Sequence, residues 1–192
     1  MLTNPVLEAI CARRSTRSFK DSPVPADLLE AILNAAIWAP TGGNRQSWRF
    51  TAIVHPEAMR ALNAAAREAC KTFVPDDDYP PKKHLQQAAG DPDYVLTPAP
   101  VLVIASNKSD YPNAMADCAS ALQNMFLAAH SLGLGSCYIN APHWLEKNPV
   151  LREFLFTLGI PKEHTICGSA AIGYIDNPSP IPPRNPDVIH IV

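Results

Sequence analysis

The sequence predicts an α+β fold in which a central sheet is flanked by helices. Segments with helical spacing of apolar residues interleave with short β-type runs, but not in a regular βαβ order. Two predicted helices precede the first strand, and a later one is long and apolar all round, as expected of an element in the core. The length of 192 residues allows one domain, residues 1–192, with a sizeable core.

The first half of the chain begins with helices and one strand. From Pro5 to Arg14 the apolar residues recur at helical spacing, which predicts the first helix. A second helix is expected in residues 22–40, between two entry prolines and Pro40. The loop Thr-Gly-Gly-Asn follows, then a strand over Trp48–Val54 and a helix over Glu57–Cys70.

Residues 71–100 differ in character, because they are rich in proline and aspartate. We expect an excursion from the core that is partly helical around His84–Ala89. Long segments of this kind within compact domains are often functional, so a lid is one interpretation. A tolerated surface insertion is the other.

The second half supplies the remaining core elements. A buried strand is expected at Val101–Ala105, the long apolar helix at Asn113–Leu132, and a glycine cap at Gly133. The further predictions are a short strand SCYIN, a helical region WLEKNPVLREFLFTLG broken at Pro149, and a last strand TICGSAAIGYI. The proline-rich tail, 176–192, should extend across a surface such as that of a partner subunit, with VIHIV able to add as a strand.

Composition excludes several classes of function. With 47% hydrophobic and 18% charged residues and a formal net charge of −2, the chain has no general attraction for nucleic acid or an anionic membrane. It has no apolar run of the roughly 18–20 residues that a membrane helix needs, and its N-terminus lacks a signal-peptide pattern. The five cysteines are scattered without a CxxC pair, so we expect core thiols in a reducing cytoplasm.

Arg13, Arg14 and Arg17 lie within five residues, separated by Ser15 and Thr16. Guanidinium groups match phosphate oxygens geometrically, and the hydroxyls are further donors. At helical spacing Arg13 and Arg17 would share a face, whereas in a turn all three arginines would converge. The segment predicts either a phosphate site or a solvated basic turn, and it also resembles a basophilic kinase site.

A second stretch, WAPTGGNRQSWRF, carries two glycines that let backbone approach a ligand closely. Asn44 and Gln46 offer paired donors and acceptors for the edge of a heterocycle, and Trp38 and Trp48 flank the loop. Taken alone, the stretch is better explained as an ordinary helix-to-strand connection with core tryptophans.

Other chemistries find no support in the sequence. GLGSCYIN follows a helix and lacks the third glycine of a dinucleotide fingerprint, and there is no P-loop. No GxSxG elbow accompanies a nucleophile, and Cys137 near His143 lacks the local signatures of cysteine proteases. The histidine spacings predict no metal site.

Four ordered motifs together resemble the nitroreductase family of FMN-dependent oxidoreductases: RRSTRSF, APTGGNRQSWRF, QNMFLAAHSLGLGSCYIN and AAIGYIDNPSPIPPR. The resemblance covers the chain from about Ala9 to Arg184 and fades in residues 71–100. It implies a homodimer with a mostly antiparallel sheet and an FMN at each of two sites in the subunit interface.

The resemblance also implies roles for particular residues. Arg13, Arg14, Ser15, Arg17 and the late Arg184 would hold the FMN phosphate and ribityl chain. The loop residues Thr41, Gly42 and Asn44 would face the isoalloxazine ring from the other subunit, with Trp38 nearby. Tyr138, Ile139 and Asn140 would lie along the opposite side of the flavin.

In such enzymes NADPH or NADH gives a hydride to flavin N5, and a small acceptor such as a nitroaromatic or quinone then takes the electrons, in a ping-pong scheme. We assign no catalytic acid or base. Three departures put the acceptor in doubt: Thr-Gly-Gly where relatives have Ser-Ser or Ser-Gly, Ser47 where proline is common, and Tyr138 where tryptophan is frequent. The alternative is a flavin-binding or flavin-sequestering protein without NAD(P)H reductase activity; a phosphopeptide-recognition module is a third.

Overall fold

The computed structural model describes residues 3–88, 96 and 98–192, and it confirms the α+β fold. The helices are α1 (Pro5–Ala12), α2 (Ala26–Ile37), α3 (Pro56–Cys70), α4 (Pro80–Gln87), α5 (Ala114–Ser131), α6 (Ala141–Leu145) and α7 (Pro149–Thr157). The strands are β1 (Arg49–Ile53), β2 (Val101–Lys108), β3 (Gly135–Ile139) and β4 (His164–Gly173). Short 3-10 turns cover Gly42–Asn44 and Pro186–Val188.

The four strands form one sheet in the order β1-β2-β4-β3. Every neighbouring pair is antiparallel, so the predicted mostly antiparallel sheet is confirmed. Helices α2 and α5 pack on one face of the sheet, and α3, α6 and α7 pack on the other. The two central strands, β2 and β4, are therefore covered on both sides.

Strand β2 shows why a continuously apolar run marks a central strand. Leu102 and Ile104 face the core under α3, α6 and α7, while Val103 and Ala105 face the core under α2 and α5. The strand continues to Lys108, further than predicted. Its last residues include polar side chains that are buried and hydrogen-bonded, which a pattern of apolar residues does not detect.

Strand β4 contains a bulge at Cys167, next to Gly168. Ala105 pairs with Gly168, but the next residue of β2 pairs with Ile166, so one residue of β4 is left over. The bulge changes which alternate residues face each core: Cys167 and Ala170 both pack under α5 although three positions separate them. The bulge places Gly168 under the Tyr138 ring and the Cys167 carbonyl within reach of the Tyr138 hydroxyl.

Helix α5 crosses the middle of the domain as predicted, but it is not buried all round. Cys118, Leu122 and Met125 are fully buried against the sheet and α2. Met115 is 44% exposed and Ala119 is exposed as well, so the expectation that these two residues lie in the core is wrong for a single chain. One apolar stripe of α5 is left uncovered by the protomer itself.

Three other boundaries differ from the sequence expectations. Helix α1 ends at Ala12, two residues early, and buries none of its residues. The predicted helix near His84 is α4, while Ala89 lies outside the described residues. The tail forms no strand within its own chain, and Val188–Val192 is exposed; strand addition to a partner stays a prediction.

All five cysteines are free: Cys11 is exposed and the other four are buried, which confirms the core-thiol interpretation for those four. Of the helices in the described ranges, none combines the length and apolar character that crossing a bilayer requires.

Candidate active site

The arginine-rich segment after α1 is extended. Arg13 ends α1 with a backbone ψ of 136°, and the Thr16 amide donates to the Ser136 carbonyl on β3 at 2.9 Å. Thr16 is buried, while Ser15 and Arg17 on either side are more exposed. An extended chain turns alternate side chains to one side, so Arg13, Ser15 and Arg17 share a side at the start of β3. Both arrangements expected from the sequence, a helical face and a turn, are wrong.

These three residues meet around the Cys137 thiol. Burial raises the pKa of Cys137, and the positive charges of Arg17 and Arg13 and a hydrogen bond with Ser15 oppose that rise. Arg13 and Arg17 therefore both lie near the Cys137 thiol, although the backbone between them is neither helical nor a tight turn.

Arg13 is held where its charge is unfavourable. Burial lowers the pKa of the Arg13 guanidinium, and the charges of Arg14 and Arg184 lower it further. The guanidinium carbon lies 5.8 Å from the centre of the Phe126 ring. Arg184, far away in sequence, thus reaches the neighbourhood of Arg13, and an anion bound here would relieve the mutual repulsion.

The cluster has donors without partners. The Nε atoms of Arg13 and Arg14 and the Oγ of Ser136 are buried and make no hydrogen bond. Nη1 of Arg14 is occupied, since it donates to the carbonyls of Cys11 and Arg13 at 2.6 Å each and so caps α1. Across residues 3–88, 96 and 98–192, none of the four arginines forms an ion pair with a carboxylate. Uncompensated cations and unused donors together fit a phosphate.

A cavity of about 460 Å³ opens beside Arg17. Tyr138, Ile139 and Asn140, from the end of β3, line it together with Cys137. The facing wall comes from the 71–100 excursion and α6: Tyr79, Pro81, His84, Leu85, Leu96, Pro98, Ala141 and Trp144. The volume is in the range of cofactor sites. Four residues predicted from the sequence, Arg17 among them, therefore share one ligand-sized cavity.

The sequence does not predict the aromatic wall of this cavity. Tyr79 and Trp144 meet edge to face with ring centres 5.9 Å apart. The Lys82 ammonium lies 6.0 Å from the Trp144 ring centre and forms ion pairs with Asp76 and Asp77. In the sequence the aspartates indicate a solvated loop, and nothing local shows that a lysine of α4 binds them.

A larger cavity, of about 580 Å³, lies on the other side of Trp144 between α3, α4 and α6. Its lining includes Thr72, His143 and Asn148 but none of the residues predicted for the site. We place the site in the smaller cavity, because that one adjoins the arginine cluster.

The Thr41–Gln46 loop lies elsewhere in the same chain. The Gly42 amide approaches both carboxylate oxygens of Asp117 at 3.3 Å, and the Gly42 carbonyl accepts from the Tyr111 hydroxyl at 3.0 Å. Asp117 is in the first turn of α5, and Phe126, beneath Arg13, is nine positions further on. Nine helical residues span about 13 Å, so one chain does not bring Thr41, Gly42 or Asn44 against the arginines.

Trp38 occupies a third place. At the end of α2 it is 84% exposed and borders an apolar groove of about 440 Å³ with Val6, Leu127 and Ala128. An exposed tryptophan of this kind is typical of a surface that a partner covers. The predicted site residues therefore form three groups within one protomer: the arginine and β3 group, the Thr41–Gln46 loop, and Trp38.

In the described ranges, no three His, Cys, Asp or Glu side chains gather as metal ligands would. The candidate site is a ligand-sized cavity whose lining includes Arg17 and the aromatic residues Tyr79 and Trp144.

The fold and site thus define an α+β protein with a cation-lined ligand cavity at the edge of an antiparallel sheet. Comparison with known families makes the assignment specific. The chain belongs to the nitroreductase family, whose model matches residues 10–174.

Named relatives agree with this assignment. An Archaeoglobus fulgidus protein that carries the provisional name NADH dehydrogenase/NAD(P)H nitroreductase is 32% identical over 171 residues, 88% of this chain and 84% of the relative. A nitrobenzene nitroreductase of Ectopseudomonas oleovorans is 28% identical over 213 residues, 94% of this chain and 91% of the relative.

Solved structures are similar over their whole length. A nitroreductase with bound FMN from Bacteroides fragilis is 38% identical with a TM-score of 0.91, covering 99% of this chain and 100% of that one. One with bound FMN from Desulfitobacterium hafniense is 27% identical with a TM-score of 0.85 and covers both chains completely.

Proposed function

We propose that this protein is an FMN-dependent NAD(P)H oxidoreductase that works as a homodimer and reduces small acceptors such as nitroaromatics or quinones. One observation carries the proposal. Arg17 and Cys137 line a ligand-sized cavity, Arg13 lies near the Cys137 thiol, and Arg184 lies near Arg13. None of the three arginines has a carboxylate partner among the described residues. The bound FMN of two similar structures supplies the matching anion.

The residues present fit the phosphate of FMN. A phosphate that carries nearly two negative charges needs several cations if it is partly buried. The unpartnered Nε atoms of Arg13 and Arg14 and the Ser136 hydroxyl are donors of the right kind. No glycine-rich helix start stands in this neighbourhood to supply amides instead, so the guanidinium groups would hold the phosphate, with Arg17 and Ser15 toward the ribityl chain.

A dimer would complete the site. Tyr138, Ile139 and Asn140 line the cavity next to the arginines, and the resemblance puts Thr41, Gly42 and Asn44 of the other subunit across the ring. In one chain the loop at Asp117 and the arginine cluster at Phe126 are separated by about 13 Å along α5, which supports a site shared between subunits. Three exposed apolar surfaces are available for association. They are Trp38, the α5 surface with Met115 and Ala119, and the tail residues Val188–Val192.

When FMN is bound, it supplies hydride chemistry between NAD(P)H and the acceptor, in the ping-pong order that the sequence predicts. The chain's own part is to bind, orient and exclude water. Hydrogen-bond donors near the ring would favour a negative charge on it, and the Tyr79–Trp144 wall would limit the acceptor to flat, small molecules. No catalytic acid or base is assigned. We place the protein in the cytoplasm, in keeping with its free cysteines.

The deciding experiment is the visible absorption spectrum of the purified protein before and after anaerobic addition of NADPH and then NADH. A flavin band that bleaches with one nucleotide supports the reductase and names its donor. A band that persists with both would favour the alternative, a flavin-sequestering protein. Absence of a band even after FMN is added back would overturn both.

A further inference from the structure

The Thr41–Gln46 loop has a strained backbone. Gly43, Asn44 and Gln46 have positive φ angles of 62°, 53° and 48°. A left-handed conformation is unfavourable for residues with a Cβ, and glutamine lacks the short side chain whose local hydrogen bonding makes asparagine tolerant of it. Such strain persists only where surrounding groups hold it, and it is concentrated at ligand sites.

Two side chains from another part of the chain hold this loop through Gly42. The amide of Gly42 approaches both Oδ atoms of Asp117 at 3.3 Å. Its carbonyl accepts from the Tyr111 hydroxyl at 3.0 Å. Asp117 and Tyr111 are only 6% and 7% exposed, so these contacts are shielded from water. Both backbone polar groups of one loop residue are thereby fixed.

Steric contacts tighten the same attachment. A Cβ on Gly42 would lie 2.4 Å from Asn113 Nδ2 and 2.5 Å from the Tyr111 hydroxyl oxygen. A larger residue at position 42 would therefore force the Asn113 carboxamide or the Tyr111 hydroxyl to move. The Arg45 guanidinium carbon lies 5.0 Å from the Tyr111 ring centre and packs on the ring from the loop side.

Asp117 is an unusual group to find here. A buried carboxylate is costly unless it is paired, yet Asp117 makes no ion pair within the described residues, where Gly42 is its one hydrogen-bond donor. Asp117 lies in the first turn of α5, where the positive end of the helix dipole stabilises a negative charge and offsets part of that cost. A small apolar residue would fill the same space more cheaply, so the carboxylate has a task that filling space does not explain.

The attachment decides which loop atoms stay free. Thr41 Oγ1 accepts from the Gln46 amide at 3.3 Å, and Asn44 Oδ1 accepts from Gln46 Nε2 at 2.8 Å. Asn44 Nδ2, on the other hand, has no partner among the described residues. With its oxygen tied back to Gln46, the Asn44 carboxamide presents its NH₂ group outward as a donor.

We propose that Asp117 and Tyr111 are positioning residues of the FMN site. They hold Gly42 so that the strained loop presents Asn44 as a fixed donor to the flavin ring. The inference rests on the proposed function, because it takes the ligand in front of the loop to be FMN. Neither residue touches the flavin in this arrangement, and both act through the backbone of Gly42.

The test compares Asp117→Ala, Asp117→Asn and Tyr111→Phe with the wild-type chain. Tyr174→Phe is the matched control, since the Tyr174 hydroxyl has no partner in the described residues. Two readouts are taken: FMN dissociation constants from fluorescence titration, and amide hydrogen exchange of residues 41–47 without FMN. We expect Asp117→Ala and Tyr111→Phe to weaken FMN binding about 3- to 10-fold, the effect of one net hydrogen bond, and to speed loop exchange.

Asp117→Asn should recover most of the affinity and protection, because its amide oxygen still accepts from Gly42. Asp117→Asn behaving like Asp117→Ala would overturn the hydrogen-bond role. Wild-type affinity and loop exchange in both Asp117→Ala and Tyr111→Phe would overturn the positioning role; Tyr111→Phe keeps the ring and answers this even if Asp117→Ala does not fold. Failure of the wild-type chain to bind FMN overturns the proposed function, and this inference with it, before any variant is compared.

Discussion

The phenol of Tyr138 lies directly over Gly168, which adjoins the unpaired bulge residue Cys167 of β4. A Cβ on Gly168 would come within 2.1 Å of the Tyr138 hydroxyl oxygen. The bare glycine lets that hydroxyl donate to the Cys167 carbonyl at 2.9 Å, which fixes the Tyr138 ring where β3 meets the cavity. The bulge in the sheet thus shapes one wall of the candidate site.

Gly168→Ala should displace Tyr138 and destabilise the fold. The added methyl cannot coexist with the phenol, and overpacking of this kind costs about 1–3 kcal/mol, to which the φ of +150° adds strain. We expect a loss near the upper end of that range in the free energy of unfolding, measured by urea titration.

Gly159→Ala is the control for this substitution. Gly159 also has a positive φ, of +82°, but a Cβ added there would meet no atom of the described chain within 4 Å. It should lose about 1 kcal/mol, the conformational part alone. Equal losses for the two variants would show that the contact between Tyr138 and Gly168 does not matter.

Local features of the site can be predicted from the sequence, whereas features that depend on distant residues cannot. Arg13 and Arg17 are only four positions apart, so the sequence predicts that they belong to one site, although not the extended backbone that separates them. The bond from Asp117 to Gly42 joins residues 75 positions apart, and no local pattern encodes it.

The same reasoning explains the errors in the fold. The apolar run of β2 predicts a buried strand because burial on both faces is a property of that strand alone. The apolar character of α5 predicts a core position for Met115, but a pattern does not distinguish a core from a surface that a second subunit covers. The bulge at Cys167 depends on pairing with β2 and leaves no periodic signal.

Replacement of the clustered arginines should release the cofactor. Arg13→Ala and Arg17→Ala each remove a charged donor of about 1.5–3 kcal/mol, so the FMN dissociation constant should rise roughly 10- to 100-fold. The measurement is the flavin-to-protein ratio after gel filtration, followed by fluorescence titration of the apoprotein.

Arg60→Ala is the matched control, since Arg60 is an exposed arginine of α3 that does not line the cavity. It should retain FMN like the wild type. Unchanged flavin content in both Arg13→Ala and Arg17→Ala would remove the phosphate assignment.

Association and flavin binding should be coupled. Trp38→Asp puts a charge on a side chain that is 84% exposed in one chain and that we expect a partner to cover. The dimer dissociation constant, measured by sedimentation, should rise at least 10-fold, and FMN should leave over the same range of protein concentration. Val74→Asp, at a residue that is 78% exposed and away from α2, serves as the control. A demonstrated monomer that keeps its FMN would contradict a site shared between subunits.

The imidazole of His164 is held in the folded chain in a place that disfavours its protonation. Burial lowers the pKa of His164. The nearby charge of Glu163 raises this pKa, whereas the positive charges of Arg49, Lys108 and Arg152 lower it further. Its Nδ1 lies 3.1 Å from the Ser106 hydroxyl in the buried sheet. As pH drops below about 6.5, His164 takes up a proton in the unfolded chain but not in the folded chain. Protonation therefore stabilises the unfolded state relative to the folded state.

Stability should therefore fall in mild acid because of His164. The loss is at most about 1.4 kcal/mol per pH unit until the folded pKa is passed. Urea titrations from pH 8 to pH 5 should show this loss in the wild type and a smaller one in His164→Asn. The same substitution at His190, in the exposed tail, should leave the wild-type slope in place. Parallel curves for the wild type and His164→Asn would mean that another group causes the acid sensitivity.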